Sequence, residues 1–338
     1  MNQSLPAESL YAQIASLIDR ARRQVVTTVN LTMVHTYFEI GRIIVEDEQQ
    51  GSARAEYGKG VLKELSQKLT TQFGKGYSVE NLDRMRFFYK TYAPSISSTV
   101  LTKFTLSWSH YLILMRLSDA GQRNFYEIES AANSWSLREL QRQIDSALYE
   151  RLALSRDKGR VTELADKGQV VQQPQDVLKD PYILEFLGLN EETAYSETQL
   201  ETRIIGNMQR FLLELGKGFS FVGRQVRFTF DESHFKVDLV LYNRLLQCFV
   251  LLDLKIGKLT HQDLGQMQMY VNYYDRYEKQ PFEKPTIGIL LCQQKNDALV
   301  ELTLPEDANI YASAYQLYLP DKQLLQQKLL EWSAEFSE

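Results

Sequence analysis

Two acidic residues and a lysine stand in short runs of otherwise apolar residues. Asp238 lies within the apolar run 237–240, and Asp253 and Lys255 follow the apolar residues 249–252. Charged groups in buried strands are costly unless they pair or bind a metal, so these side chains are candidates for chemistry. Mg²⁺ is the natural occupant, since one or two carboxylates hold it while it keeps several waters. Mg²⁺ would polarise a phosphoryl oxygen and lower the pKa of a bound water, which Lys255 could orient while offsetting charge on the phosphate.

The residues around this triplet predict two strands joined by a short turn. Residues 235–242 form the first strand and residues 248–256 the second. Because side chains alternate along a strand, Asp253 and Lys255 share a face with two apolar residues, while the opposite face is wholly apolar. The flanking pattern predicts helices over 196–215 and 262–277 and strands over 219–230, 286–292 and 310–318. This order of helix, three strands, helix and strand indicates a compact α/β core.

The first 155 residues are predicted to be almost entirely helical. After an apolar pattern that starts near Leu5, helices are predicted over 31–48, 57–73, 79–92, 109–117, 122–132 and 136–154. Residues 98–106 are rich in β-branched side chains and could form a short strand or wing. Residues 156–175 are polar and lack periodicity, so we place a domain boundary there. The predicted organisation is a helical domain over 1–158, a linker over 159–175 and an α/β domain over 176–338.

Basic and aromatic residues alternate on the predicted helix 79–92. Arg84, Arg86 and Lys90 are interleaved with four aromatic side chains after a tight turn, a pattern that could enter a nucleic-acid groove. The alternative is a core helix whose basic face is solvated, and the pattern leaves both open. Lys258, just after the second strand of the hairpin, could contact phosphate, although an exposed lysine commonly has no specific role.

Composition narrows the class of protein. The 338 residues are 44% hydrophobic and 24% charged, which excludes a disordered or fibrous chain. The apolar runs are too short to span a bilayer, and the N-terminal basic cluster is on the wrong side for a secretory signal. Two cysteines exclude a disulfide scaffold. We expect a soluble, cytoplasmic protein that does not bind a membrane.

Charge is divided unevenly along the chain. Residues 1–160 hold 21 basic and 17 acidic residues, whereas the remaining residues hold 17 and 26, for a net charge of −5 overall. This division favours contact with a polyanion in the first half and cation binding in the second.

Asp238, followed after 14 residues by Asp253-Leu254-Lys255, resembles the PD-(D/E)xK motif of the restriction-endonuclease-like nucleases. The predicted order of elements also resembles the core of that superfamily. Val237 replaces the proline of the motif, as in many members. Glu201 on the preceding helix matches the metal-binding or structural glutamate that many members carry there, with Glu197, one turn earlier, as the alternative.

The helix after the hairpin carries a further likeness. Gln266 and Tyr270 fit the Q-h-x-x-Y pattern of RecB-like members, and at i and i+4 they lie on one helix face. The alternative is that both are surface residues of an amphipathic helix. The resemblance implies that Asp238, Asp253 and Glu201 bind Mg²⁺, with Mn²⁺ as a substitute. It also implies that Lys255 positions or activates water and that Gln266 and Tyr270 support the site.

Four further segments resemble a bacterial YhcG-like family, at residues 107–111, 135–140, 149–152 and 180–189. That resemblance implies a helical, winged-helix-like N-terminal module followed by a PD-(D/E)xK nuclease domain. The implied function is metal-dependent hydrolysis of phosphodiester bonds in DNA, in bacterial DNA processing or defence. The N-terminal domain would recognise DNA or a partner protein, and cutting both strands with one site per chain favours a homodimer.

Two plainer interpretations remain open. The chain could be a catalytically weak nucleic-acid-binding or assembly module that is built on a nuclease fold. Without the surrounding pattern, the preferred interpretation would be an ordinary salt bridge between Asp253 and Lys255 at a strand end, with Asp238 as a hairpin acid.

Overall fold

The computed structural model describes residues 7–50, 55–95, 104–154, 159–189, 195–305 and 307–327. The chain forms two compact units, Met1–Gln141 and Arg142–Glu338. Across these described ranges, none of the helices combines the length and apolar character needed to cross a membrane.

The first unit is helical in its described parts, as predicted. Its helices are α1 (Ala7–Gln50), α2 (Ala55–Phe73), α3 (Val79–Tyr92), α4 (Trp108–Leu114) and α5 (Ala120–Ala132), and α6 (Leu137–Asp145) runs across the division between the units. α1 is one continuous helix where the sequence pattern indicated two stretches. α3 has its predicted limits, and the Ser78 hydroxyl caps it by accepting from the Asn81 backbone N–H at 3.3 Å. Most of the possible wing, residues 98–103, lies outside the described residues.

Aromatic packing holds α3 in the first unit. The ring of Phe88 is fully buried and lies 5.0–5.8 Å, centroid to centroid, from the rings of Phe38, Phe104 and Tyr111. Gly41 of α1 lets the two helices approach closely, because a Cβ there would lie 2.1 Å from the Met85 carbonyl oxygen.

The second unit is a mixed sheet with helices on both faces. Its remaining helices are α7 (Leu148–Leu154), α8 (Gly159–Lys167), α9 (Glu197–Gly206), α10 (Met208–Leu215), α11 (His261–Tyr273) and α12 (Asp297–Thr303). Its strands are β1 (Tyr182–Ile183), β2 (Phe219–Phe230), β3 (Ser233–Asn243), β4 (Cys248–Lys258), β5 (Ile287–Gln294) and β6 (Ile310–Gln316). The spatial order is β1-β6-β5-β4-β3-β2, with β2, β3 and β4 antiparallel and the other neighbours parallel.

Both faces of β4 are packed, and the alternation predicted for this strand is confirmed. Val250, Leu252 and Leu254 belong to the core under α9 and α10. Leu251 lies on the opposite face, in the core under α11. The apolar residues of β4 therefore anchor the strand on two sides, which fixes the direction of the polar residues that follow.

Two predicted helices are interrupted. The helix expected over 136–154 breaks between α6 and α7, where Ala147 has a φ of 51°, and the helix expected over 196–215 breaks at Asn207 between α9 and α10. The predicted linker 159–175 contains α8, whose Leu164 is buried, and the chain divides into its two compact units within α6. The limits of these short helices depend on tertiary contacts, which the periodicity of apolar residues in the sequence does not indicate.

A buried ion-pair network connects Arg142 and α7 to the rest of the second unit. Glu214 of α10 is fully buried and lies 2.7 Å from Arg151 and 3.2 Å from Arg142. Lys179 donates to the Glu214 backbone carbonyl, and Arg151 also donates to the Pro181 carbonyl at 2.9 Å. Burial alone would raise the pKa of Glu214, but Arg151, Lys179 and Arg142 outweigh it and lower that pKa to about 2.

Candidate active site

The site forms where β3 and β4 stop pairing. Their last backbone pair in the described strands is Leu239 with Leu252, so the next residues outward, Asp238 and Asp253, stand opposite each other. The Asp238 Oδ2 accepts from the Leu254 backbone N–H at 2.9 Å. A side-chain carboxylate thus takes the place of a backbone carbonyl in the ladder, which holds Asp238 beside the middle of β4.

Asp253 is a buried carboxylate. Its side chain is buried, with the residue only 4% exposed. Burial is the main cause that raises its pKa to about 7, the charge of Asp238 adds to the shift, and Lys255 opposes it. When two carboxylates lie this close, ionising both costs free energy because their negative charges repel. Such a site therefore favours binding a proton or a cation.

Lys255 completes the predicted triplet. Its Nζ lies 2.8 Å from the Asp253 Oδ2 and 3.6 Å from the Asp263 Oδ1. Burial acts to lower the pKa of Lys255, but the Asp253 carboxylate outweighs it, with help from Glu197 and Asp263, so the pKa is raised. Lys255 is therefore an ammonium at neutral pH, able to donate hydrogen bonds and positive charge but not to accept a proton.

Glu201 joins the site through a residue that was not predicted. The Gln225 Nε2 donates to the Glu201 Oε2 at 2.5 Å and to the Asp238 Oδ1 at 3.1 Å. Gln225 has a φ of 50°, a left-handed conformation in the middle of β2. Burial, followed by the charge of Asp238, raises the pKa of Glu201. The alternative candidate, Glu197, is exposed and accepts instead from the Ile256 backbone N–H at 3.3 Å.

Gln266 and Tyr270 lie together on the face of α11 that meets the sheet. The Gln266 amide donates to the Tyr270 hydroxyl, which donates in turn to the Lys236 carbonyl at 3.0 Å. Burial and then the charge of Asp253 raise the pKa of Tyr270. Asp263, a second residue that sequence reasoning missed, caps the same helix through Thr260 and contacts Lys255. The capping box from Thr260 to Asp263 was its only sequence signal.

The donors suit a hard divalent cation. Glu201 is 7% exposed, and its Oε1 accepts no hydrogen bond from the described residues, with the Arg224 Nε 3.9 Å away. No group of three or more His, Cys, Asp or Glu side chains in the described ranges is arranged to hold a metal. Two carboxylates, Asp238 and Asp253, are nevertheless sufficient for Mg²⁺, which keeps waters at its other positions. Glu201 remains a predicted ligand, and the Gln225 amide links it to Asp238.

The basic residues predicted to contact nucleic acid differ in their surroundings. On α3, Arg84 pairs with Glu80, while Arg86 and Lys90 lie 2.6 and 3.6 Å from Glu48. These ion pairs reduce the positive charge that α3 offers to phosphate. Of the interleaved aromatic residues, Phe88 and Tyr92 are core residues and Phe87 is the exposed one. In the second unit, Lys258 is exposed at the end of β4. Phosphate contact by these four residues stays a prediction.

The chain is similar to known protein families over most of its length. Residues 13–151 match the DUF1016 N-terminal domain, and residues 175–330 match the YhcG PDDEXK nuclease domain, a class of nucleases that generally uses divalent metal ions. YhcG of Escherichia coli (strain K12) is 38% identical over 360 residues, which cover 98% of this chain and 96% of that protein.

Two solved structures share less with the chain. A repair endonuclease from Pyrococcus abyssi and a complex of EndoMS with double-stranded DNA are each 19% identical and match 39% of this chain. The chain spans about half of each, 50% and 49%, with TM-scores of 0.26 and 0.27. The family matches rest instead on sequence over nearly the whole chain, and the mixed sheet with its flanking helices resembles the restriction-endonuclease-like fold. The chain therefore belongs to the YhcG family, with a DUF1016 N-terminal domain followed by a PD-(D/E)xK nuclease domain.

Proposed function

We propose that the protein is a divalent-metal-dependent nuclease that hydrolyses phosphodiester bonds in DNA. The observation that carries the proposal is the pair of opposed carboxylates, Asp238 and Asp253, at the fork of β3 and β4 with the Lys255 ammonium 2.8 Å from one of them. Opposed carboxylates beside a fixed ammonium favour a cation and an anionic substrate in the same place.

The proposed roles follow from the position of each group. Asp238 and Asp253 hold Mg²⁺, for which Mn²⁺ substitutes, and the metal when bound supplies Lewis acidity toward a phosphoryl oxygen and a more acidic water. Lys255 donates hydrogen bonds to the attacking water or to a phosphate oxygen, because its ammonium is held by Asp253. Glu201, whose pKa is raised by burial and by the charge of Asp238, is the further ligand or general base.

Two residues of α11 act as support. Tyr270 is buried and Gln266 binds its hydroxyl, so together they keep the wall beside the carboxylates in place. The same proposal includes DNA or a partner protein as the ligand of the N-terminal unit, a cytoplasmic location, and a homodimer where both strands of a duplex are cut.

Conversion of supercoiled plasmid to nicked or linear product in Mg²⁺ tests the proposal. We expect cleavage by the wild type and a loss of at least about 100-fold in Lys255→Ala and Asp253→Ala. Lys295→Ala is the matched control, because Lys295 is also part-buried and lies 2.9 Å from Asp180 and 2.6 Å from Asp297. If the wild type and both site variants behave identically, catalysis at this site is wrong. Retained DNA binding without any cleavage favours the assembly module instead.

A further inference from the structure

A cavity of about 320 Å³ lies between the end of β2 and the outer face of α11. That volume is within the usual range for a small-ligand pocket. Its lining combines aromatic rings with amide side chains, namely Phe228, Phe230, Tyr273, Tyr277, Gln268 and Asn272. We call this cavity the aromatic pocket.

The rings of the aromatic pocket form one packed wall and one open pair. Phe228 and Tyr273 stack on each other, with centroids 4.0 Å apart and planes 21° apart. Phe230 and Tyr277 stand 6.4 Å apart at 39° and are 51% and 59% exposed. Tyr277 lies in a π-helical turn, Tyr274–Glu278, that follows α11, and such turns often mark functional sites. The exposed ring faces are therefore available to a flat apolar partner.

The lining of the aromatic pocket also carries polar groups that can hydrogen-bond to the edge of a flat partner. The Gln268 Nε2 donates to the Asn272 Oδ1 at 3.1 Å, and the Gln268 Oε1 is buried and accepts no hydrogen bond from the described residues. Arg276, on the π-helical turn, adds a guanidinium to the lining. A nucleobase has a π-face and donor groups on its edge, and aromatic platforms combined with amides and Arg are how proteins bind unpaired bases. An apolar peptide side chain would leave the amide oxygen unsatisfied.

The aromatic pocket connects to the candidate active site through a contact between two rings. The Phe228 ring meets the Tyr270 ring edge to face, with centroids 5.6 Å apart. The Tyr270 hydroxyl in turn donates at 3.0 Å to the backbone carbonyl of Lys236, which lies two residues before Asp238 on β3. A strand with a phosphodiester at the carboxylates therefore passes close to the pocket. We propose that the aromatic pocket binds an unpaired nucleobase of the DNA strand being cut, an inference that rests on the proposed nuclease function.

Binding without cleavage tests this proposal separately. Fluorescence anisotropy of a labelled single-stranded oligodeoxythymidylate is measured in EDTA for the full chain. We expect Phe230→Ala and Tyr277→Ala each to weaken binding by about 5- to 100-fold, the effect of losing one stacked base. Tyr277→Phe keeps the ring and should bind like the wild type. Phe282→Ala is the matched control, since Phe282 is 75% exposed in the same unit and lies outside the pocket lining.

An oligonucleotide of the same length with abasic sugars separates base stacking from phosphate contact. We expect the wild type to bind it more weakly than the normal strand and the Tyr277→Ala variant to show little further difference between the two. Equal binding of the normal strand by the wild type, Phe230→Ala and Tyr277→Ala would overturn the pocket, even with plasmid cleavage intact. A ring-dependent and base-dependent loss of binding would support the pocket even if the wild type cleaved nothing, which separates this proposal from the nuclease assignment.

Discussion

Replacing Asp253 by Asn should stabilise the metal-free protein above neutral pH. The Asp253 carboxyl is buried beside Asp238, and its pKa is raised from 3.8 to about 7. Between these two values the folded wild type keeps a proton that the unfolded chain has released, so its stability falls as pH rises through this window. The Asn variant has no proton to lose at this position and should escape that fall.

The raised pKa of Asp253 sets the size of the stability difference between the two proteins. A rise of roughly 3 pKa units at 1.36 kcal/mol each corresponds to about 4 kcal/mol of stability that the wild type loses by pH 8. This is an upper limit for the gain in Asp253→Asn, because Lys255 loses its nearest carboxylate and keeps the more distant charges of Asp263, at 3.6 Å, and Glu197. Below about pH 4 the two proteins should differ little from this cause, since the carboxyl is protonated in both states.

Urea unfolding in EDTA, repeated from pH 4 to pH 8.5, measures the difference between the two proteins at each pH. We expect Asp253→Asn to become progressively more stable than the wild type as pH rises, with a plateau above pH 7. Asp180→Asn is the control, because Asp180 has a comparable lysine partner, Lys295, at 2.9 Å and also accepts from the Ala314 backbone N–H at 3.0 Å, so its replacement should not stabilise. A difference for Asp253→Asn that stays constant or shrinks with rising pH would refute the reasoning.

Three further substitutions test other parts of the structure. Gln225→Glu places a third carboxylate between Glu201 and Asp238, which the Gln225 amide bridges in the wild type. Because the three negative charges repel, thermal melting in EDTA should show a lower melting temperature than for the wild type. Adding Mn²⁺ should raise the melting temperature of the variant by more than that of the wild type. Arg151→Ala leaves Glu214 buried without its closest cation, and urea titration should show a loss of about 3–5 kcal/mol; a loss below about 1 kcal/mol would contradict a buried ion pair. Gly41→Ala puts a Cβ 2.1 Å from a carbonyl oxygen of α3 and should lower the melting temperature, whereas the control Gly60→Ala meets open space and should raise stability by up to about 1 kcal/mol. Equal melting of the two alanine variants would be the contrary result.

The hairpin of the site was predictable because its physics is local. Apolar alternation fixed the faces of β4, and a short turn after β3 sets an antiparallel register in which Asp238 stands opposite Asp253. Asp253 and Lys255 are two residues apart on one strand, so their contact at 2.8 Å also follows from alternation.

Other features depend on contacts that the sequence pattern does not contain. Gln225 reaches the site through a left-handed backbone conformation that only the surrounding structure imposes, and Ala147 interrupts a predicted helix for the same reason. Arg151 and Glu214 are 63 residues apart, and nothing in either local pattern indicates that they pair. The basic residues of α3 were predicted to contact nucleic acid or to form a solvated basic face, and the sequence pattern did not indicate Glu48 of α1 as the partner of Arg86 and Lys90.

An anomalous difference map from crystals soaked in Mn²⁺ tests the shared cation most directly. We expect a peak between the carboxylates of Asp238 and Asp253, beside the Lys255 ammonium, and its disappearance in crystals of Asp253→Ala. An ordered site without that peak, or Mn²⁺ bound only at other residues, would contradict a metal centre at the fork of β3 and β4.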